Sequence, residues 1–164
     1  MKSIRGFTLV EALVVVAIIV IVATAVTPMM LPVVENIRLM TTANGIKHQL
    51  ICAKTRALGD SRIHCGVHFD THSTPHQVQV FIDNGSPENN GEYNEGSDQL
   101  FMPAYILPPT ISLTISGAGA GSDIIFRGDG STRVHGLVIK VKTNRNREKQ
   151  ITVLPSTGRI KIIG

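Results

Sequence analysis

Apolar residues crowd the first fifth of the chain and then thin into short alternating runs. Residues 12–34 carry no charged side chain, and between residues 7 and 26 only Glu11 is charged. A helix rises ~1.5 Å per residue, so twenty such residues span about 30 Å, the hydrocarbon thickness of a bilayer. From Pro32 the pattern changes. Val33, Val34, Ile37, Met40, Ile46, Leu50, Cys52, Ala53, Ala57 and Leu58 recur mostly at spacings of three and four, with Arg38, Lys47, Lys54 and Arg56 between them. That period predicts an amphipathic continuation of the helix over residues 31–60, its apolar stripe turned to a globular head and its end at Gly59-Asp60.

After residue 62 the period becomes two. Residues 65–69 and 78–82 read as strands joined by a turn around Ser73-Thr74-Pro75, followed by a long polar loop over 83–99. Residues 111–115 and 124–126 read as strands, separated by a Gly-Ala loop over 116–122. A tight turn follows at Gly128-Asp129-Gly130. Three closing strands are expected at 136–142, 150–154 and 159–163, with Arg145, Arg147 and Lys149 in the loop between the first two. The expected class is α+β: a long N-terminal hydrophobic helix packed on a mostly antiparallel sheet head spanning 61–164.

Charge sharpens this division. Residues 1–62 hold seven Lys/Arg and three Asp/Glu, residues 63–126 hold none and seven, and residues 127–164 hold nine and two. An acidic middle and a basic end permit contact with an anionic partner. The absence of Trp, with two Tyr and five Phe, argues against stacking platforms for single strands of nucleic acid. Lys2 and Arg5 precede the apolar span, which favours a cytoplasmic N-terminus and a head outside the cytoplasm. In an oxidising compartment Cys52, near the helix end, and Cys65, at the first strand, are a candidate disulfide. The alternative is a pair of small buried hydrophobes.

The apolar N-terminus admits three readings. It can be a plain signal anchor, or a cleaved signal peptide ending at Ala23-Thr24-Ala25, or a segment with a use for Glu11. A carboxylate inside a membrane helix costs roughly 2.5–3.5 kcal/mol, and the first two readings have no use for it. Gly6-Phe7-Thr8-Leu9-Val10-Glu11 resembles the leader motif of type IV pilins and type II secretion pseudopilins. The resemblance implies that residues 1–6 are a leader cut after Gly6 by a prepilin peptidase, and that Phe7 is N-methylated. It implies that residues 7–30 form the transmembrane and filament-core helix, that Glu11 pairs with the Phe7 amine of a neighbouring subunit, and that Pro28 lets the helix bend.

The head adds Leu50-Ile51-Cys52-Ala53-Lys54-Thr55-Arg56-Ala57, Phe126-Arg127-Gly128-Asp129-Gly130-Ser131 and Gly158-Arg159-Ile160-Lys161-Ile162. These resemble the GspH/FimT family of minor pseudopilins. The implied function is that of a structural, non-enzymatic component of a type II secretion pseudopilus. Its implied partners are other pilins, the prepilin peptidase and the bacterial inner membrane, with the head in the periplasm or beyond. The alternative is a FimT-like pilin that binds DNA for natural transformation. Its candidate surface is Lys140, Lys142, Arg145, Arg147, Arg159 and Lys161, with Lys161 where a second arginine is expected.

Other residue clusters carry less. His64, His68, His72 and His76 recur every fourth position, but in strand and turn context they read as a solvated surface with His64 and His68 pointing outward. Asp83, Glu88, Glu92, Glu95 and Asp98 lack EF-hand spacing and read as a solvated loop. No catalytic constellation, cofactor loop or metal motif is legible.

Overall fold

The computed structural model describes residues 7–60, 62–84, 90–118, 122–133 and 135–164. The leader with Gly6, Glu88, and residues 119–121 of the Gly-Ala loop lie outside the described residues. The chain divides into two compact units, Met1–Ile37 and Arg38–Gly164, and one helix, α1 (Leu9–Gly59), contributes to both.

The start of α1 has a local cause. The Thr8 hydroxyl accepts the Glu11 N–H at 3.3 Å, and the Thr8 carbonyl accepts the Ala12 N–H at 3.1 Å. Thr8-x-x-Glu11 is a capping-box sequence, and a carboxylate in the first turn suits the positive end of the helix dipole. Within the first unit, Leu9–Thr27 is long and apolar enough to cross a membrane, and none of it is buried in the protein. Pro28 lies inside the helix. It has no N–H to give the Thr24 carbonyl, and the Thr27 hydroxyl bonds the Ala23 carbonyl at 2.8 Å.

The second unit holds two antiparallel sheets rather than one. The first is ordered β3 (Gln99–Leu100), β2 (Gln77–Ile82), β1 (Cys65–Asp70), β6 (Asp123–Phe126), with β4 (Tyr105–Ile106) also paired to β2. The second is ordered β5 (Ile111–Ala118), β7 (His135–Thr143), β8 (Glu148–Val153), β9 (Ile160–Ile163). β5 runs to Ala118, into the expected Gly-Ala loop, and Lys149 sits in β8 rather than before it. The two-residue strands β3 and β4 are too short to show a period.

One core joins the sheets to the second half of α1. Val67, Phe69, Val80, Ile124 and Phe126 from the first sheet meet Leu113, Leu137, Ile139, Val141 and Ile151 from the second around Leu39, Ile46, Leu50 and Ala53. The buried helix stripe keeps Ile46, Leu50, Ala53 and Ala57 of the expected one but differs in its other members. Leu39, Thr42, Ala43, Ile46, Gln49, Leu50, Ala53 and Ala57 are buried, whereas Val33, Val34, Ile37, Met40 and Leu58 are exposed. Five of these eight buried residues are small or polar, so hydrophobicity alone misplaced part of the stripe. Ala43, Ala53 and Ala57 bring the helix backbone close to the sheets.

Candidate assembly site

Two separate places carry the residues singled out in the sequence. In the first unit Phe7 and Glu11 stand at the start of α1, on a segment whose large apolar side chains, from Leu9 to Val26, all face outward. Glu11 is the one acidic or basic residue between Phe7 and Val26 of that apolar surface. Its backbone N–H is capped by the Thr8 hydroxyl.

In the second unit the three head segments that prompted the resemblance converge. Lys54 of α1 reaches the turn between β8 and β9, where its ammonium donates to the Thr157 carbonyl at 2.7 Å and the Gly158 carbonyl at 3.3 Å. Gly158 adopts φ 56° and lies on the Phe126 ring, against the Gly130 carbonyl, where a side chain would collide. The Gly130 turn lies against Leu58 and Lys54. Thr132 N–H closes the set by donating to the Pro155 carbonyl at 2.8 Å. These motifs therefore lock the end of α1 to both sheets.

The cysteines are a correction. They are free thiols, not a bridge. Cys65 is buried and donates to the Phe81 carbonyl at 3.1 Å, and burial pushes its thiol up to about 12, so it stays protonated and inert. Cys52 sits one step off the buried stripe, its sulfur 3.6 Å from His48 Nε2.

Some of the histidines and acids are a second correction, whereas His72, Glu92 and Glu95 are exposed as expected. His68 is not solvated: its Nδ1 lies 2.6 Å from Asp123 Oδ1, and its ring stacks on Tyr93 at 4.7 Å. Asp83 and Asp98 are buried, and each accepts a backbone N–H from the polar loop, Gly91 at 2.8 Å and Asn94 at 2.7 Å. Burial raises the Asp83 carboxyl above the usual range, and the nearby Asp98 adds to this. These acids organise the loop from beneath. The alternation of His64 and His68 placed them on one face, but nothing local in the sequence revealed their cover. Among the described residues, no three His, Cys, Asp or Glu side chains are arranged to hold a metal ion.

The basic residues are only partly brought together. Lys140 and Lys142 share the outward face of β7, opposite Gln150 and Glu148, and Lys140 Nζ lies 3.7 Å from Glu148 Oε1. Lys161 is on the same face, opposite Thr152. Arg145 and Arg147 flank the β7–β8 turn, while Arg159 stands at the β8–β9 turn. A six-residue strand is ~20 Å long, so these turns mark distant ends of one sheet.

Comparison with known proteins bears on the N-terminal segment and on the fold. The family described as the prokaryotic N-terminal methylation motif matches residues 1–27. No curated protein matches the chain by sequence. Two solved structures of the minor pseudopilin EpsH from the type II secretion system of Vibrio cholerae share its fold. One aligns with TM-score 0.57 at 10% identity over 77% of this chain and 97% of its own. The other aligns with TM-score 0.56 at 9% identity over 77% and 94%. The fold is thus pilin-like α+β, a long apolar helix followed by antiparallel sheets. More particularly, it is the fold seen in EpsH.

Proposed function

We propose that this chain is a minor pseudopilin, a structural subunit of a type II secretion pseudopilus. The observation that carries the reading is the conjunction of the N-terminal methylation motif with an EpsH-like fold. In this reading a prepilin peptidase cuts after Gly6 and methylates Phe7. The apolar face of residues 7–30 holds the subunit in the inner membrane and then in the filament core, and Pro28 supplies a point where the helix can bend. Residues 31–60 carry the head, residues 61–164, outside the cytoplasm.

Glu11 has the decisive role. Buried among apolar helices, an unpaired carboxylate and an unpaired amine would each be costly, and pairing them relieves both. Each subunit has one of each, four residues apart, so the pair recruits a neighbour and sets its register. Glu11→Gln tests this without disturbing the start of the helix, because glutamine also serves a capping box. The expected outcome is a processed, folded, membrane-inserted subunit that no longer co-purifies with filament partners. Normal assembly of Glu11→Gln would refute the charge pair. Gly6→Leu, by contrast, is expected to leave uncut precursor, visible as a heavier band.

A further inference from the structure

Residues 90–98 cross the outer face of the first sheet, and the bonds that tie them down run through side chains rather than through a strand ladder. Asp83 Oδ2, at the end of β2, accepts the Gly91 N–H at 2.8 Å. Asp123 Oδ2, on β6, accepts the Tyr93 N–H at 2.9 Å while its other oxygen pairs with His68 of β1. Asp98 Oδ2 accepts the Asn94 N–H at 2.7 Å and the Asn94 side-chain amide at 3.4 Å. The Arg133 guanidinium donates to the Asn90 carbonyl. Between these anchors the Tyr93 ring rests 5.0 Å from Phe81 and 4.7 Å from His68.

What lies beneath is a separate apolar cluster. Phe81 and Ile125 are fully buried but stand outside the main core, on the opposite face of the sheet. They meet over Gly66, where a Cβ would collide with both side chains. Tyr93 and Ile125 both lie against Phe81 on that side, and the Tyr93 backbone is held by the Asp123 carboxylate.

We propose that residues 90–98 form a strap that opens from the first sheet as one cooperative unit, uncovering Phe81 while the strands beneath stay paired. Opening breaks the side-chain anchors and the two Tyr93 ring contacts but no β1–β2 or β1–β6 ladder bond, so it requires far less than unfolding the head. The open state presents an aromatic and aliphatic patch on the face opposite α1. This inference stands independently of the pseudopilin reading.

Native-state hydrogen exchange on the full chain in detergent micelles tests it. The Gly91, Tyr93 and Asn94 amides are expected to share one opening, insensitive to low denaturant and at least tenfold less protected than Val67 and Val80. In Asp123→Ala, all three should lose a further tenfold while Ile139 and Ile151 stay unchanged. If that variant does not fold, Tyr93→Ala, which leaves the carboxylates in place, should give the same shared loss. Strap amides that exchange together with the strand amides would overturn the proposal. So would a variant that loosens one of the three and leaves the others as they were.

Discussion

One helix, α1, presents two chemistries. In the first unit its leucines, isoleucines and valines are exposed, and none of the span Leu9–Thr27 is buried among the described residues. In the second unit its buried stripe is rich in alanine with Thr42 and Gln49, and yet it is fully covered by the protein's own sheets. The more hydrophobic half has the less internal packing. Hydrophobicity in the first unit answers to an environment outside the chain, a bilayer or other helices. In the second unit shape decides, because small side chains let the helix backbone approach the strands. Substitutions in the two halves should therefore fail in different assays.

The largest separation is expected from truncations of matched size. Leu50→Ala removes a fully buried side chain and is expected to destabilise the head by about 2–5 kcal/mol. The loss would be read as a lowered melting temperature of the β-sheet signal. Leu13→Ala, on the exposed span, should leave that melting unchanged and act only on membrane or filament association. If Leu13→Ala lowered head melting as well, the two halves would not be independent.

Next in size is the lock at the end of α1. Lys54→Met keeps the aliphatic stem but leaves the Thr157 and Gly158 carbonyls without their ammonium donor. A loss of about 1–2 kcal/mol is expected. The β8–β9 amides should lose protection before those of β1 and β2. A uniform loss across both sheets would show that Lys54 acts on the whole core instead.

Much of this was legible in the sequence, and the failures share a cause. The membrane-length run, the strands β1, β2, β5, β7, β8 and β9, and the turn at Gly128-Asp129-Gly130 follow from local period and turn chemistry. The helix stripe did so only in part: Ile46, Leu50, Ala53 and Ala57 are buried as expected, but Leu39, Thr42 and Ala43 make a weaker pattern than the exposed Ile37, Met40 and Leu58. The fate of the acids did not. Asp123 holds Tyr93 from thirty residues away, and for the nearer Asp83–Gly91 and Asp98–Asn94 bonds only the folded sheet shows that the carboxylates face a loop rather than water. The capping box at Thr8 was readable but overshadowed by the leader motif that contains it.

Asp83 gives a smaller, pH-dependent effect. Its carboxyl is raised in the folded state by burial, so the fold is favoured while Asp83 is protonated. That contribution is lost as pH rises through the raised value. Asp83→Asn keeps an oxygen for the Gly91 N–H and removes the buried charge. The variant should therefore melt higher than the parent at pH 7, and the difference should vanish near pH 3. A variant that melts lower at pH 7 would mean that the charge-assisted bond to Gly91 outweighs desolvation.

The smallest effect concerns the basic face of the second sheet. Polyanion affinity depends on how many cations can meet phosphates at once, and each contact steepens the salt dependence. Here Lys140 lies beside Glu148, and Arg159 stands a strand length away from Arg145 and Arg147. The face offers Lys142 and Lys161 on two strands separated by β8, with Glu148, Gln150 and Thr152 of β8 between them rather than aromatic rings. Replacing both lysines with glutamine in the full chain should change duplex-DNA affinity by less than about threefold at near-physiological salt. Fluorescence anisotropy over a salt series would read it. A steep salt slope in the parent that the double variant abolishes would show that the sheet does gather its cations on one surface. The head would then owe its charge asymmetry to a polyanion, and only the first unit would look outward for protein partners.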